Sequence, residues 1–339
     1  MSAPASRAWL AALAVAATLD CRPAAKELAL LNVSYDPTRE LYADFNVAFA
    51  RHQLAQTGEV VNIKQSHGGS GTQARAVIDG LEADVVTLAI EQDVNAISQR
   101  GLIDAGWKQR LPFGSAPYSS TIVLLVRGGN PKQIHGWDDL ARDGVAVITP
   151  NPKTGGGARL NYLAAWAHGL RRFAGDEQAT RDFVARIYQN VAVLDSGARG
   201  AATTFVERGI GDVLIAWENE AELTLALRPK GEFEVVVPSV TLLAEPTVAV
   251  VDGYAKQHGT EALARAYLEY LYSPEGQAII EKHHFRARPS PATAAGSAPA
   301  PATAGGPILV RVDDLGGWDV VQRKHFGDGG LYDHMQKRP

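Results

Sequence analysis

The chain has little cysteine, no excess of positive charge and no long hydrophobic run. Its single cysteine, Cys21, excludes an intrachain disulfide bond. The formal net charge is −4, and no basic stripe interleaved with aromatic residues occurs, so nucleic acid is not an expected partner. No apolar run is long enough to span a bilayer as a helix. Hydrophobic residues make up 46% of the 339 residues and charged residues 21%, which is typical of a globular protein that can form two domains.

The motifs of common catalytic and metal sites are absent as well. No G-x-x-x-x-G-K-[ST] loop occurs, and the first strand–helix turn lacks the G-x-G-x-x-G pattern. Ser70 is not in a G-x-S-x-G turn, because Thr72 replaces the second glycine. His283 and His284 are adjacent and would point to different faces of a helix, and H-E-x-x-H is missing. The sequence therefore predicts no enzyme, no cofactor and no metal ion.

The N-terminus has the pattern of an export signal. A basic residue precedes an apolar stretch at residues 9–19 that is too short to cross a membrane. Cleavage after Ala25 would remove residues 1–25 as a signal peptide and leave the mature chain in the periplasm. The alternative is a lipid anchor on Cys21, but Asp20 argues against it, because a small uncharged residue normally precedes a lipidated cysteine.

Four turns rich in small residues each connect a strand-like run to a helix-like run. The repeated alternation of strands and helices predicts an α/β fold with mainly parallel sheets flanked by helices. The first N–H groups of a helix have no partner within it, and the helix dipole adds partial positive charge, so each turn is a potential anion site. The turns are residues 34–37, 66–71, 154–158 and 195–200. Several such turns without a nucleophile–base pair indicate that an anion is held and not transformed.

Two apolar runs divide the chain into two lobes. Residues 120–127 and 245–252 flank a segment that itself alternates strands and helices, as expected if two crossing strands leave one lobe and return to it. The predicted lobes are residues 26–119 together with 246–339, and residues 120–245. Residues from about 286 to 306 are rich in Ala, Pro, Ser, Thr and Gly, which predicts a flexible insertion in the first lobe. The ligand is expected in the cleft between the lobes, at the carboxyl ends of the strands.

At these turns the chain resembles the periplasmic sulfate-binding proteins of ABC uptake systems. The similarity extends from about residue 28 to residue 285 and is more specific than any single glycine motif. The matching stretches include LLNVSYDPTRELY at 30–42, QSHGGSG at 65–71, LDSGARG at 194–200 and FVERGIGDVLIAWENEA at 205–221. The resemblance implies a two-lobed periplasmic-binding-protein fold of type II. It also implies a monomeric receptor that closes around one anion and docks on a membrane permease.

The resemblance also implies which residues contact the ligand. In the family, neutral donors at helix N-termini hold a dehydrated sulfate. Carried over position by position, the donors are the backbone N–H groups of Asp36, Ser70, Gly156, Gly157 and Ala198 and the indole N–H of Trp217. Gly155 is a further ligand-binding position. The residues expected to steady the turns around the anion are His67, Thr154 and Arg199.

Gly155 departs from the family pattern, which usually has serine at this position. The backbone amide is expected to remain available while the hydroxyl is lost, and the side chain of Thr154 is expected to point elsewhere. The loss of one hydrogen bond to a charged ligand costs about 1.5–3 kcal/mol. Asp36 places a carboxylate near the site, and as the predicted helix N-cap it is expected to accept bonds from its own helix.

A cavity lined only by hydrogen-bond donors is expected to select sulfate over phosphate. Sulfate at neutral pH is a dianion without a proton, whereas phosphate normally carries a proton that needs an acceptor. Thiosulfate is the alternative or second ligand, because it is also a tetrahedral dianion with no necessary proton. Two other function classes stay open: an enzyme acting on sulfated or phosphorylated substrates, and a sensory or adhesive protein that has lost transport.

Overall fold

A computed structural model describes residues 27–289 and 306–336 of the chain. The predicted signal peptide, residues 1–25, lies outside these ranges, and so do residues 290–305, which form most of the predicted insertion. Within the described ranges the chain forms two β-sheets with helices packed around them. No helix there is both long enough and apolar enough to cross a membrane.

The first sheet has four strands and forms the core of the first lobe. Its strands are β1 (Glu27–Tyr35), β2 (Val60–Gly68), β3 (Val85–Leu88) and β10 (Thr247–Val250). Their order is β10–β3–β1–β2, in which β1, β2 and β3 run parallel and β10 runs antiparallel to β3. The helices of this lobe are α1 (Arg39–Thr57), α2 (Ser70–Ile78), α3 (Glu91–Ser98), α4 (Pro112–Ser115), α10 (Asp252–His258), α11 (Glu261–Tyr270) and α12 (Pro274–Lys282).

The packing of α1 positions the turn that precedes it. Leu41, Phe45 and Phe49 recur at helical spacing and are fully buried in one cluster with Tyr267 of α11. Burying a side chain of this size contributes about 1.5–3 kcal/mol. The helix ends at Gly58, whose φ of +74° is a left-handed conformation that glycine adopts without strain. Because α1 is held along its length, the turn at its N-terminus is fixed at the end of β1.

The second sheet has eight strands and is parallel only in part. Its strands are β4 (Tyr118–Arg127), β5 (Val147–Pro150), β6 (Val191–Asp195), β7 (Val213–Trp217), β8 (Phe233–Val236), β9 (Val240–Ala244), β11 (Arg286–Ala287) and β12 (Ile308–Val310). β4 is antiparallel to β7, β8, β9 and β11, whereas β5 is parallel to both β6 and β7. The helices are α5 (Trp137–Leu140), α6 (Gly156–Arg172), α7 (Glu177–Gln189), α8 (Ala198–Ala202) and α9 (Glu218–Leu227). The parallel strands β5, β6 and β7 therefore deliver the starts of α6, α8 and α9 to one edge of the sheet.

Two connections join the lobes. Tyr118 at the start of β4 packs in the core of the first lobe, while Leu124 further along the same strand is buried in the second. The chain returns between β9 and β10, at Glu245 and Pro246. The apolar run at 245–252 is therefore not one crossing strand, because its β10 part pairs only with β3 of the first sheet.

The C-terminal tail, residues 306–336, packs on the second lobe. Its strand β12 pairs in parallel with β9. Phe326 and Tyr332 join the second core, with ring centroids 5.2 and 5.9 Å from that of Tyr162 on α6. The expectation that residues 246–339 lie wholly in the first lobe is wrong for the tail, because its aromatic side chains are buried against α6.

The first residues of the predicted flexible insertion are ordered. Arg286 and Ala287 form β11 against β4. The guanidinium groups of Arg286 and Arg288 each lie 2.7 Å from a carboxylate oxygen, on Glu218 and Glu245 respectively. The expectation of a flexible segment from residue 286 is therefore wrong for these residues, since two ion pairs and a strand pairing hold them.

Candidate functional site

The two lobes meet around one small cavity of about 30 Å³ at the carboxyl ends of β1, β5, β6 and β7. Six of the predicted ligand-binding residues line it, namely Asp36, Ser70, Gly155, Gly157, Ala198 and Trp217. Gly156 lies beside it in the contact between the lobes, where a Cβ atom would be only 2.6 Å from Asp93 Oδ2 of α3. A cavity of this size suits a compact solute.

Each predicted backbone donor lies in the first turn of a helix. Ser70 begins α2, Gly156 and Gly157 begin α6, and Ala198 begins α8. Asp36 begins a short 3₁₀ helix, Asp36–Thr38. Within the described residues none of these five amides donates to a protein acceptor. Unpaired N–H groups and the positive ends of helices from both lobes therefore surround the cavity, which is the environment that stabilises a dehydrated anion.

The amide of Gly155 is not available to a ligand. Its N–H donates to the backbone carbonyl of Asn151 at 3.0 Å, so the expectation of a free amide at this position is wrong. The same carbonyl accepts from the Thr154 N–H at 3.1 Å, because the chain turns tightly between β5 and α6. Gly155 lines the cavity but supplies no hydrogen bond to it.

Asp36 is not the N-cap of its helix, contrary to the expectation from the sequence. Tyr35 holds that position, because the helix begins one residue earlier than expected and Pro37 is its second residue. The Asp36 carboxylate accepts no bond from the helix; one oxygen lies 3.6 Å from the Arg39 guanidinium and the other lies next to Gly197 of the second lobe. Burial raises the pKa of Asp36, and the nearby guanidinium groups oppose that rise.

Protein partners orient the side chains of Ser70 and Trp217. The Ser70 hydroxyl donates to Asp93 at 2.6 Å and accepts from the Ala89 N–H at 3.0 Å, which leaves the Ser70 amide as the group free to meet a ligand. The buried indole N–H of Trp217 donates to the Gly157 carbonyl at 3.3 Å. This bond is long, and an anion would accept a shorter and stronger one.

The three residues expected to steady the turns contact neighbouring segments. Thr154 Oγ1 donates to the Ser196 carbonyl at 2.7 Å, so its hydroxyl joins two turns of the second lobe and does not replace a hydroxyl at position 155. Arg199 reaches across the cleft to Glu40 of α1 at 2.6 Å. Burial lowers the pKa of His67 to about 4, so this histidine is neutral at pH 7.

A buried ion pair between the lobes has no signal in the sequence. Arg159 of α6 lies 3.3 Å from Asp93 of α3, and their side chains are only 12% and 6% exposed. Together with the Arg199–Glu40 pair, this contact shows that the lobes are closed. The two partners are 66 positions apart, and neither stands in a local pattern that points to the other.

Glu220 of α9 also lines the cavity. The sequence around it indicates only a charged helix face after a buried strand. Burial raises the pKa of Glu220 to about 7, Arg199 opposes this rise and Asp36 adds to it. Its neutral form, which donates a hydrogen bond, is therefore well populated at neutral pH. The only signal for Glu220 in the sequence is its position three residues after the end of β7. Its protonation state depends on burial, which the sequence does not show.

The site is equipped to hold an anion. Its described lining contains no histidine, cysteine or lysine, and the hydroxyl of Ser70 is bonded to a carboxylate and a backbone amide. In the described part of the chain, no group of three or more His, Cys, Asp or Glu residues is arranged to bind a metal ion. The chemistry on offer is hydrogen-bond donation from backbone amides, one indole and the neutral form of Glu220.

Most of the chain matches one family of binding proteins. Residues 30–286 match the family model described as bacterial extracellular solute-binding protein. The chain belongs to this family. Among its relatives, the sulfate-binding protein of Escherichia coli is 56% identical, with 93% of this chain and 94% of the relative aligned. The thiosulfate-binding protein of Pseudomonas aeruginosa is 45% identical, with 90% and 91% aligned.

A solved structure of a similar protein has the same architecture. The sulfate-binding protein SubI from Mycobacterium tuberculosis superposes with a TM-score of 0.75 at 32% sequence identity, over 87% of this chain and 98% of SubI. The two-lobed fold of type II periplasmic binding proteins is thereby confirmed. The relatives are transport-related binding proteins, and the name of each states a bound anion and no reaction.

Proposed function

We propose that this solute-binding protein captures sulfate in the cleft between its lobes and delivers it to an ABC permease in the membrane. The observation that carries the proposal is the meeting of unpaired N–H groups from both lobes at one small cavity. The proposed contacts are the amides of Asp36, Ser70, Gly156, Gly157 and Ala198 and the indole N–H of Trp217. Relatives with 56% identity that are named sulfate-binding proteins support this ligand.

Selection for sulfate follows from the protonation of the site. Amides and an indole can only donate, so they satisfy an unprotonated dianion and leave the proton of hydrogen phosphate without an acceptor. Two carboxyl groups, those of Asp36 and Glu220, also line the cavity. Burial raises the pKa of both carboxyl groups, to about 7 for Glu220, and the neutral form of Glu220 can donate a hydrogen bond to the anion.

Binding is coupled to closure of the lobes. The first lobe supplies two of the proposed donors, on Asp36 and Ser70, and the second lobe supplies the others. An anion that contacts all of them gains its full set of hydrogen bonds only when the lobes are together, so it favours the closed state by its differential contacts. We propose lobe boundaries near residues 119/120 and 245/246, with the tail assigned to the second lobe.

The proposal includes the cellular setting of the receptor. The signal-like N-terminus supports export to the periplasm after cleavage of residues 1–25, with a lipid anchor on Cys21 as the less favoured alternative. The receptor acts as a monomer and is not an enzyme, since the described cleft offers no base next to a free nucleophile. Its partner is the membrane permease of the uptake system.

Thiosulfate is a second candidate ligand. Relatives that are 45% and 44% identical are named thiosulfate-binding proteins. The cavity wall at Gly155 supports it too, because no hydrogen-bond donor stands there to require an oxygen atom on the ligand.

Titration of the purified protein tests the ligand assignment. Calorimetry and tryptophan fluorescence are followed during addition of sulfate, thiosulfate, phosphate or molybdate. The expected result is tight binding of sulfate, and of thiosulfate as second ligand, with no binding of phosphate at neutral pH. Preferred binding of phosphate, or turnover of aryl sulfates by the protein, would contradict the proposal.

A further inference from the structure

A second and larger cavity lies between the lobes, outside the anion cleft. It has a volume of about 530 Å³ and is formed by α2 and α3 of the first lobe, the start of α6 with its preceding loop in the second, and the tail. Its polar lining includes Arg75, Asp79, Gln92, Arg100, Lys153 and Gln322. We call this cavity the inter-lobe groove. Because one wall moves with each lobe, the groove has this shape only when the lobes are closed.

The groove carries unbalanced positive charge on a chain whose net charge is −4. Two of its cations are used internally: Lys153 lies 2.7 Å from Asp333 of the tail, and Arg159 pairs with the buried Asp93. Arg75 and Arg100 are exposed, and neither forms an ion pair within the described residues. Arg75 stands on α2 and Arg100 in the turn that follows α3, and Asp79 is the only exposed carboxylate among the described lining residues.

Two amide groups in the groove have unused hydrogen-bonding capacity. The side-chain oxygens of Gln92, on α3, and Gln322, on the tail, are buried without a partner in the described part of the chain. A buried polar atom without a partner costs about 1–3 kcal/mol. Since an amide can present either its oxygen or its NH₂ group, each residue can accept from or donate to a ligand in the groove. The groove thus combines two guanidinium groups that form no ion pair within the described residues with two amide oxygens that lack a partner there.

We propose that the inter-lobe groove is the surface on which the closed receptor docks an acidic segment of its membrane partner. Arginine binds carboxylates through two parallel hydrogen bonds, so a Glu- or Asp-containing loop fits the pair of free guanidinium groups. The backbone of such a loop supplies partners for the two amides. Because the walls come from both lobes, the partner distinguishes a loaded receptor from an open one. This inference rests on the proposed function.

Charge reversal in the groove tests the proposal. The receptor and its cognate permease are reconstituted in proteoliposomes, and sulfate uptake is measured against the concentration of sulfate-loaded receptor. For the double variant Arg75→Glu/Arg100→Glu we expect the half-saturating receptor concentration to rise at least about tenfold, which corresponds to one lost charge-assisted contact. The maximal uptake rate and the sulfate Kd of the receptor are expected to stay unchanged.

Arg171→Glu/Arg186→Glu is the matched control, because both arginines are exposed, lie outside the groove and undergo the same double charge reversal. The control is expected to behave like the wild type. Added salt should weaken docking of the wild type but not docking of the double variant, because salt screens the attraction of the arginines in the first and the repulsion of the glutamates in the second. If charge reversal disturbs the fold, Arg75→Gln/Arg100→Gln is measured by the same salt series.

The outcomes separate this inference from the proposed function. If the half-saturating receptor concentration is equal for wild type and double variant while sulfate binding is intact, the docking assignment alone is overturned. Dimerisation of the wild type that the double variant loses would assign the groove to a second copy of this chain and also overturn it. Failure of the wild type to bind sulfate overturns the proposed function, and the role of the groove with it.

Discussion

Gly69 of the first lobe packs directly against the backbone carbonyl of Thr154 in the second lobe. A Cβ atom on Gly69 would lie 2.8 Å from that oxygen, closer than real Cβ contacts come. A backbone carbonyl within a tight turn cannot rotate away as a flexible side chain can. A side chain at position 69 therefore requires the two lobes to move apart.

Gly69→Ala is expected to weaken sulfate binding roughly tenfold to hundredfold, because it reduces the population of the closed state. The open state should be unaffected, since the φ and ψ of Gly69, −59° and 131°, suit alanine. Calorimetry gives the affinity, and small-angle X-ray scattering shows whether sulfate still compacts the protein. Gly71→Ala is the control, because its Cβ atom would lie 3.5 Å from the same oxygen, an ordinary contact. Equal affinities of the two variants would refute this account of closure.

Gly155→Ser is expected to tighten sulfate binding. The nearest atoms to a Cβ at this position are 3.6 Å away, so serine fits, and its hydroxyl adds the donor that the site lacks. A hydrogen bond to a charged ligand contributes about 1.5–3 kcal/mol, a roughly tenfold to hundredfold gain in affinity. Serine also caps α6, which is expected to raise the stability by a few tenths of a kcal/mol.

Gly155→Ala is the control for the serine variant, because it fills the same space without a hydroxyl. Both variants are titrated with sulfate and with thiosulfate. The serine variant should favour sulfate over thiosulfate more strongly than the alanine variant does. A serine variant that binds sulfate no better than the alanine variant would show that no hydroxyl is missed at this position.

Trp217→Phe is expected to weaken sulfate binding roughly tenfold to hundredfold, because it removes the indole donor and keeps an aromatic ring. The ring contact with Tyr35, at a centroid distance of 5.6 Å, should hold the phenylalanine in place. Trp107→Phe is the control: the Trp107 indole also donates, to Asn95 at 3.1 Å, but it lies outside the cleft. Calorimetry measures the sulfate affinity of both variants. A similar loss of affinity in both would point to a general structural effect.

Acidification is expected to loosen the C-terminal tail through His325. This histidine is 2% exposed, its Nδ1 lies 3.0 Å from the Tyr162 hydroxyl, and burial lowers its pKa to about 4. The unfolded histidine takes up a proton below its ordinary pKa of 6.5, while the folded one stays neutral until about 4. Stability is therefore full above pH 6.5 and falls by up to about 3 kcal/mol as the pH drops toward 4.

Hydrogen exchange of residues 306–336 between pH 7 and 4 measures the effect of His325 after correction for the intrinsic exchange rate. His325→Phe removes the titrating group and keeps an aromatic ring, so its tail should lose much less protection over the same range. Equal acid sensitivity of wild type and variant would exclude His325 as the cause.

His258 is expected to act in the opposite direction. It pairs with the buried Asp84 at 2.9 Å and with Glu82 at 3.3 Å, and the hydrogen bond to Asp84 raises its pKa. Its contribution to stability is thus complete below pH 6.5 and is lost as the pH rises through the raised folded pKa. Urea unfolding of wild type and His258→Gln from pH 6 to pH 9 should show a difference that shrinks with rising pH. A constant difference would contradict the assignment.

Local patterns are sufficient to predict individual helices such as α1 and α12. Phe45 and Phe49 mark the buried face of α1, and Gly58 marks its end. Ser273 before Pro274 caps α12, with its hydroxyl accepting from the Gly276 N–H as a capping serine should. These features depend on residues within a few positions of one another, which is why the chain alone reveals them.

The wrong predictions concern hydrogen bonds and packing partners that the local sequence pattern does not determine. Asp36 and Pro37 are compatible with two helix starts one residue apart, and the structure adopts the earlier one. Whether the amide of Gly155 is free depends on where the Asn151 carbonyl points. The composition of the tail is compatible with packing on either lobe. The tail packs on the second lobe because its aromatic side chains contact those of α6.

By itself the amino-acid order determined the alternation of strands and helices and the small-residue turns where unpaired amides begin each helix. These are consequences of backbone geometry over a few consecutive residues. Only the tertiary structure decided that turns far apart in the chain surround one cavity, that Asp93 meets Arg159, and that the pKa of Glu220 rises to about 7. Those properties depend on distance and on exclusion of water, and both are set by residues from separate lobes that come together only on folding.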